Sequence, residues 1–225
     1  MILVFDLDDT LYPEITYVKS GFMAVSIFLK KNFKLNQDLV YSKMLDLLKK
    51  DGRGNIFDEV LRTYSIYTVK NLKKCISTYR SHVPHINLHK DAERCISRFK
   101  EYKKYIVTDG NILVQRKKIS ALDLTKNFEK IFTTYQYGIS YSKPSTKCFK
   151  MILKKEKINP WDMVYVGDNP HKDFINLKKI GIHTIRIQRG CFKDTVLDSN
   201  HEAEYTFKNL DCVTKKMIRK LNENR

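Results

Sequence analysis

The chain has 225 residues, 42% of them hydrophobic, which suffices for one substantial domain, or a catalytic domain with a smaller insert, and excludes a disordered chain. Lys and Arg outnumber Asp and Glu by 42 to 25, a formal charge of +17. The lysines are scattered in pairs such as Lys30 with Lys31 and Lys117 with Lys118, and no helix-turn-helix, zinc-finger or aromatic-glycine RNA signature accompanies them, so nucleic acid is not the expected partner.

Taken in chain order, Ile2–Phe5 is a short apolar run stopped sharply by Asp6, the pattern of a buried parallel strand with polar residues at its carboxyl end. Residues 14–83 then read as helix throughout. Ile15, Val18, Phe22, Val25, Leu29 and Phe33 recur at steps of three and four, and Leu39, Val40, Met44, Leu47 and Leu48 repeat the pattern. Asp51-Gly52-Arg53-Gly54-Asn55 is a breaker, followed by helical stretches at 56–64 and 69–79. After Pro84 the rhythm alternates. Helices are expected at 90–102, 112–122, 145–157, 171–180 and 210–221, with strands at 105–107, 131–133, 163–166, 183–187 and 205–207. Such alternation implies a parallel sheet with helices on both faces. The expected fold is therefore α/β, a Rossmann-like core built from 1–13 and 84–225, with an all-helical insert at 14–83.

No run approaches the roughly 18 uncharged apolar residues of a membrane span. The first residues show neither a basic lead nor a small-residue cleavage site, so a cytoplasmic address is expected. Cys75, Cys95, Cys148, Cys191 and Cys212 are widely spread without a CxxC pair and read as free thiols.

Ligands of open parallel sheets bind beyond the carboxyl ends of the strands. Three of the expected strands end in acids there: Asp6 and Asp8 after the first, Asp109 after the second, Asp168 after the fourth. Asp6 and Asp8, two residues apart in extended chain, would fall on one side and serve one site. Their convergence is repulsive, and a divalent cation would relieve it. Thr108 adds a hydroxyl at a strand end, and Gly110 lets backbone amides approach an anion. Lys143 stands before Pro144 at the head of a helix, and Gly167-Asp168-Asn169-Pro170-His171-Lys172-Asp173 supplies two acids five residues apart. Taken singly, each of these segments also reads as an ordinary turn or helix cap.

In this order and at these distances the four segments, opened by Phe5-Asp6-Leu7-Asp8-Asp9-Thr10, resemble the four motifs of the haloacid dehalogenase-like (HAD) superfamily, and the insert is similar to its C1-type helical cap. The resemblance spans nearly the whole chain. It implies a magnesium-dependent phosphatase acting on a small phosphorylated metabolite, a sugar phosphate before a nucleotide. Asp6 would be the nucleophile and Asp8 the general acid and base. Thr108, Asp109, Gly110 and Lys143 would hold the phosphoryl group. Asp6, Asp168 and the backbone carbonyl of Asp8 would ligate Mg2+, with Asp173 and Asn169 supporting that site. Asp8 also argues against dehalogenation, because a halide leaves without a proton. A phosphomutase or 5'-nucleotidase with the same motifs stays open, as does a non-catalytic or nucleic-acid-binding protein. Glu14, Tyr17, Lys19, Arg53 and Asn55 are candidates to face the cleft, and Tyr12 and Pro13 to shape the chain's exit into the insert.

Overall fold

Residues 2–5 carry no polar side chain, and in the computed structural model, which describes residues 1–223, they form the central strand β1 (Ile2–Phe5), buried along its length. A strand has this composition when both of its faces are covered. β1 pairs in parallel with β2 (Lys104–Thr108) on one side and β4 (Met163–Gly167) on the other. β3 (Lys130–Thr133) lies outside β2, and β5 (His183–Ile187) and β6 (Tyr205–Phe207) lie outside β4. The order β3-β2-β1-β4-β5-β6, parallel at every pairing, is that of a Rossmann-like sheet.

Alternate residues of these strands feed opposite faces. Ile2, Val4, Tyr105, Val107 and Tyr165 cluster with Phe149 and Ile152 of α7 (Lys147–Glu156) and Leu177 of α8 (Ile175–Lys179). Leu3, Phe5, Ile106, Val164 and Val166 belong to the other face and are equally buried, with Phe128 edge-on to Phe5. Apolar burial is worth about 25 cal/mol per Å2, so this two-sided core holds the strand ends as a rigid platform.

The chain divides into two compact units, Met1–Glu14 with Asn87–Arg225, and Ile15–Ile86. The second is all helix: α1 (Glu14–Phe33), α2 (Gln37–Asp51), α3 (Ile56–Thr63) and α4 (Val69–Ser81). Asn36 and Thr68 cap α2 and α4 by accepting backbone N–H bonds at their first turns. Val18, Phe22, Val25 and Leu29 of α1 pack with Val40, Met44, Val60, Leu61 and Cys75. Gly21 permits the approach of α4 to α1: a Cβ there would sit 2.4 Å from ring carbons of Tyr79. Two members of the expected apolar stripes, Ile15 and Leu39, are exposed, because neighbours on either side already fill this small core.

Several boundaries differ from expectation for identifiable reasons. The helix expected at 90–102 is α5 (Lys90–Arg98). Beyond it the chain turns with bonds of three-residue span, while the buried Lys104 ammonium takes the carbonyls of Phe99 and Tyr102 at 2.7 and 3.0 Å. The expected helix at 171–180 shrinks to α8, because Asn169 and Asp173 bond the local backbone in its place. The His171 N–H donates to Asn169 Oδ1 and the Asn169 N–H to Asp173 Oδ2, both at 3.0 Å. The last expected helix splits at Thr214, which caps α9 (Lys215–Glu223) through the Met217 N–H. α6 (Ile112–Ala121) begins under the Asn111 cap. All five cysteines are free thiols. Among the described residues no helix is long and apolar enough to cross a membrane.

Candidate active site

The site begins as a consequence of register. Phe5 is level with Ile106 of β2 and Val166 of β4, so Asp6 emerges between Thr108-Asp109 and Gly167-Asp168. The Asp6 N–H still donates to the Val166 carbonyl at 2.8 Å, which fixes its backbone as an extension of the sheet.

Asp6, Asp168 and Asp173 form a buried cluster in which one carboxylate oxygen of each lies within 4.8 Å of the others. Lys143 is 95% buried and places its ammonium 2.6 Å from Asp6 Oδ1 and 2.8 Å from Asp173 Oδ1. It also donates to the Tyr165 hydroxyl at 2.9 Å, and Tyr165 donates in turn to Asp173 Oδ1. Gly167 makes room for this arrangement, since a Cβ there would lie 2.5 Å from Asp173 Oδ2. Both oxygens of Asp173 are thus committed to protein donors, whereas Asp168 accepts only the Thr10 hydroxyl, at 3.4 Å, among the described hydrogen bonds.

The electrostatics follow from burial. Desolvation pushes the Asp6 carboxyl up to about 7 against the pull of Lys143. Burial, with Asp173 and Asp6 nearby, holds the Asp168 carboxyl well above the usual range. Burial disfavours the Lys143 charge, but Asp173 and Asp6 outweigh it and keep the ammonium protonated. Three acids thus share one lysine in a dry place, where burial opposes the ionisation of Asp6 and Asp168. Their hard oxygens suit a small divalent cation such as Mg2+, so the residues present fit the metal that the motifs imply.

Asp8 has a separate set of partners. Its Oδ1 accepts from the Lys118 ammonium at 2.6 Å and the Tyr12 hydroxyl at 2.5 Å, and its Oδ2 from Gln115 Nε2 at 2.9 Å. Burial would raise this carboxyl, yet Lys118 together with the hydrogen bonds from Tyr12 and Gln115 outweighs burial and lowers it. The two motif aspartates, expected to serve one site together, therefore carry opposite shifts and different cations.

Gln115 Nε2 also lies 2.7 Å from the Thr108 hydroxyl and from the Asp109 carbonyl, its two protons shared among these oxygens and Asp8 Oδ2. A carbonyl can only accept, so the amide orientation is determined, and the Thr108 hydroxyl, used as acceptor, keeps its own proton for another group. Gly110 lies against the Gln115 side chain. The Asp109 carboxylate accepts from Thr134 Oγ1 at 2.8 Å, the Lys143 N–H at 3.1 Å and Lys172 at 2.9 Å, so it braces the Lys143 loop. Asp9 similarly accepts the Glu14 and Cys191 N–H groups.

Lys118, Gln115, Lys172, Tyr165 and Thr134 are the site members that sequence reasoning missed. Lys118 and Gln115 follow Asn111 at helical spacing, and that position on α6 is the signal that could have found them. Of the candidates to face the cleft, Tyr17 is instead buried in the insert, its ring edge-on to Tyr79. Glu14 lies 3.6 Å from Lys118, Lys19 lines an open groove of about 480 Å3 on the insert, and Arg53 and Asn55 occupy an exposed turn.

The sequence profile described as haloacid dehalogenase-like hydrolase matches residues 3–187. The glyceraldehyde 3-phosphate phosphatase of Pyrococcus furiosus is 27% identical over 216 residues, covering 93% of this chain and 89% of that protein. That of Methanocaldococcus jannaschii is 27% identical over 217 residues, covering 92% of each. Among solved structures, a HAD phosphatase from Thermococcus onnurineus superposes with a TM-score of 0.61 at 19% identity, covering 96% of this chain and 97% of that one.

Proposed function

The chain belongs to the haloacid dehalogenase-like hydrolases, and from that premise we propose that it is a magnesium-dependent phosphatase of small phosphorylated metabolites, working through an aspartyl-phosphate on Asp6. The observation that carries this reading is the Lys143 ammonium, buried 2.6 Å from Asp6 beside two further acids at the strand ends. Burying these charges together costs free energy that a merely structural role would not demand, and such groups mark functional sites.

Asp6 attacks phosphorus and the bond to the leaving oxygen breaks. Lys143 orients Asp6 and offsets charge on the transferring oxygens. Thr108, with its hydroxyl held by Gln115, donates its proton to a phosphoryl oxygen. Asp8 gives a proton to the leaving alkoxide, then takes one from the water that cleaves the aspartyl-phosphate. Asp6 and Asp168, with the backbone carbonyl of Asp8, are the residues to hold magnesium, which when bound offsets repulsion between carboxylate and phosphate. Asp173, its oxygens already bonded, supports Lys143 and the loop carrying Asn169. Asp109 and Gly110 hold the phosphate through the backbone of their turn. Residues 14–83 take the role of cap from their place in the chain, between the first and second strands.

The substrate class we assign is a short sugar phosphate, glyceraldehyde 3-phosphate first, since the curated relatives that span the chain carry that activity in their names. The test is phosphate release from glyceraldehyde 3-phosphate, other sugar phosphates and nucleotides, run beside Asp6→Asn. Release should require magnesium, stop with EDTA, favour the short sugar phosphate and fall to background in the variant. Undiminished release by Asp6→Asn would end the proposed mechanism.

A further inference from the structure

Asp8 takes its bonds from Lys118, Tyr12 and Gln115, side chains other than the Lys143 around which Asp6 and Asp173 gather. Lys118 is 97% buried on α6, an element to which no motif assigns a catalytic cation. A lysine is buried at a cost, and it stays there when paired and hydrogen-bonded. Its ammonium meets Asp8 Oδ1 at 2.6 Å and Glu14 Oε1 at 3.6 Å, with the Tyr12 ring centroid at 6.0 Å. Asp8 Oδ1 takes a second bond from the Tyr12 hydroxyl, and its Oδ2 is held by Gln115, three residues before Lys118 on the same helix. Three donors on two oxygens remove the rotational freedom that an aspartate at a strand end would otherwise keep. Gln115 ties this carboxylate to the Thr108 hydroxyl through one nitrogen, so the proton-transfer group and the phosphate donor share a single anchor.

We propose that Lys118, with Tyr12 and Gln115, is the positioning residue that orients Asp8 for protonation of the leaving oxygen. The inference rests on the phosphatase reading above. In the step concerned, the incoming phosphate dianion raises Asp8, which takes a proton from water; the bond from Asp6 oxygen to phosphorus then forms, the bond from phosphorus to the leaving oxygen breaks, and that proton moves to the leaving oxygen. Lys118 touches neither substrate nor metal in this scheme. It holds the geometry of a transfer that requires donor and acceptor within hydrogen-bond reach.

Leaving-group dependence separates this role from a structural one. In a covalent mechanism kcat/KM reports the steps up to formation of the aspartyl-phosphate, and so isolates the step in which Asp8 acts as acid. An alkyl phosphate such as glyceraldehyde 3-phosphate expels a basic alkoxide that needs the proton, whereas p-nitrophenyl phosphate expels a stable phenolate that does not.

Lys118→Met should lower kcat/KM for glyceraldehyde 3-phosphate about 10- to 100-fold, part of the range typical of acid catalysis, while p-nitrophenyl phosphate stays within roughly threefold of wild type. Tyr12→Phe, which removes a donor from the same oxygen and keeps every charge, should show the same split at smaller size. It carries the test if Lys118→Met fails to fold, as judged by thermal unfolding. Equal losses on both substrates, or no loss on either, would overturn the proposal, as would faster turnover of the alkyl phosphate. A wild-type protein that releases phosphate from neither substrate would instead overturn the phosphatase reading, and this inference with it.

Discussion

At the scale of single residues, the site is a study in how neighbours decide the behaviour of identical side chains. Asp6 and Asp8 are separated by one leucine, yet burial lifts the first and Lys118 lowers the second. The crowding of Asp6, Asp168 and Asp173 around one lysine yields a stability prediction. Asp168→Asn removes a carboxyl whose ionisation is opposed by burial and by Asp173 and Asp6, so at neutral pH the metal-free protein should melt higher, by a few degrees if about 1 kcal/mol is relieved. On the proposed metal site, the same variant should lose most of the upward shift expected with magnesium, because the negative charge of one ligand is gone. Thermal unfolding with and without magnesium reads both effects, and a metal-free midpoint below wild type would contradict the repulsion argument. The members that the sequence concealed are mostly cations. Among 42 lysines and arginines only its helical spacing from Asn111 marks Lys118, since burial of Lys118 and Lys172 comes from the turn of α6 and the loop after β4 rather than from their own neighbours in the chain. Lys143 stood out only because it precedes a proline within a recognisable segment.

At the scale of elements, the strands were legible because an uninterrupted apolar run has few uses other than a doubly covered strand, and β1 and β4 are such runs. Helix ends were less legible. The segment after β4 has helical spacing, but Asn169 and Asp173 bond the backbone there and delay the helix until Ile175. That delay is what allows Asp173 to return to Lys143 and Tyr165. Within the insert, Gly21 gives a prediction in which two effects compete. Alanine in a helix interior gains up to about 1 kcal/mol over glycine. Here its Cβ would lie 2.4 Å from the Tyr79 ring, which is itself packed against Tyr17, Phe22 and Phe57. Overpacking of that kind costs about 1–3 kcal/mol, so the clash should win. Gly21→Ala is expected to lower the denaturation midpoint by roughly 1 kcal/mol net, and adding Tyr79→Leu should recover part of the loss. A stabilised Gly21→Ala would mean the two helices can separate at no cost.

At the scale of the whole molecule, the charge of +17 would act, on the proposed phosphatase reading, in the approach of the substrate rather than in the chemistry. A positive field raises the encounter rate of phosphate dianions and is screened within about 8 Å at physiological ionic strength. Raising salt should therefore lower kcat/KM severalfold through KM while leaving kcat nearly unchanged, which initial-rate measurements across a salt series can check. A fall in kcat of the same size would place the salt effect inside the site.

The register that levels Asp6 with the ends of β2 and β4 has a consequence for how the protein comes into being. Asp6 precedes Asp168 and Asp173 in the chain by more than 160 residues, so the ribosome adds it well before them. Until β4 docks beside β1, Asp6 is an ordinary hydrated acid with no affinity beyond that of any aspartate. On the proposed magnesium site, metal uptake during refolding should lag secondary structure and coincide with the pairing of β1 with β4.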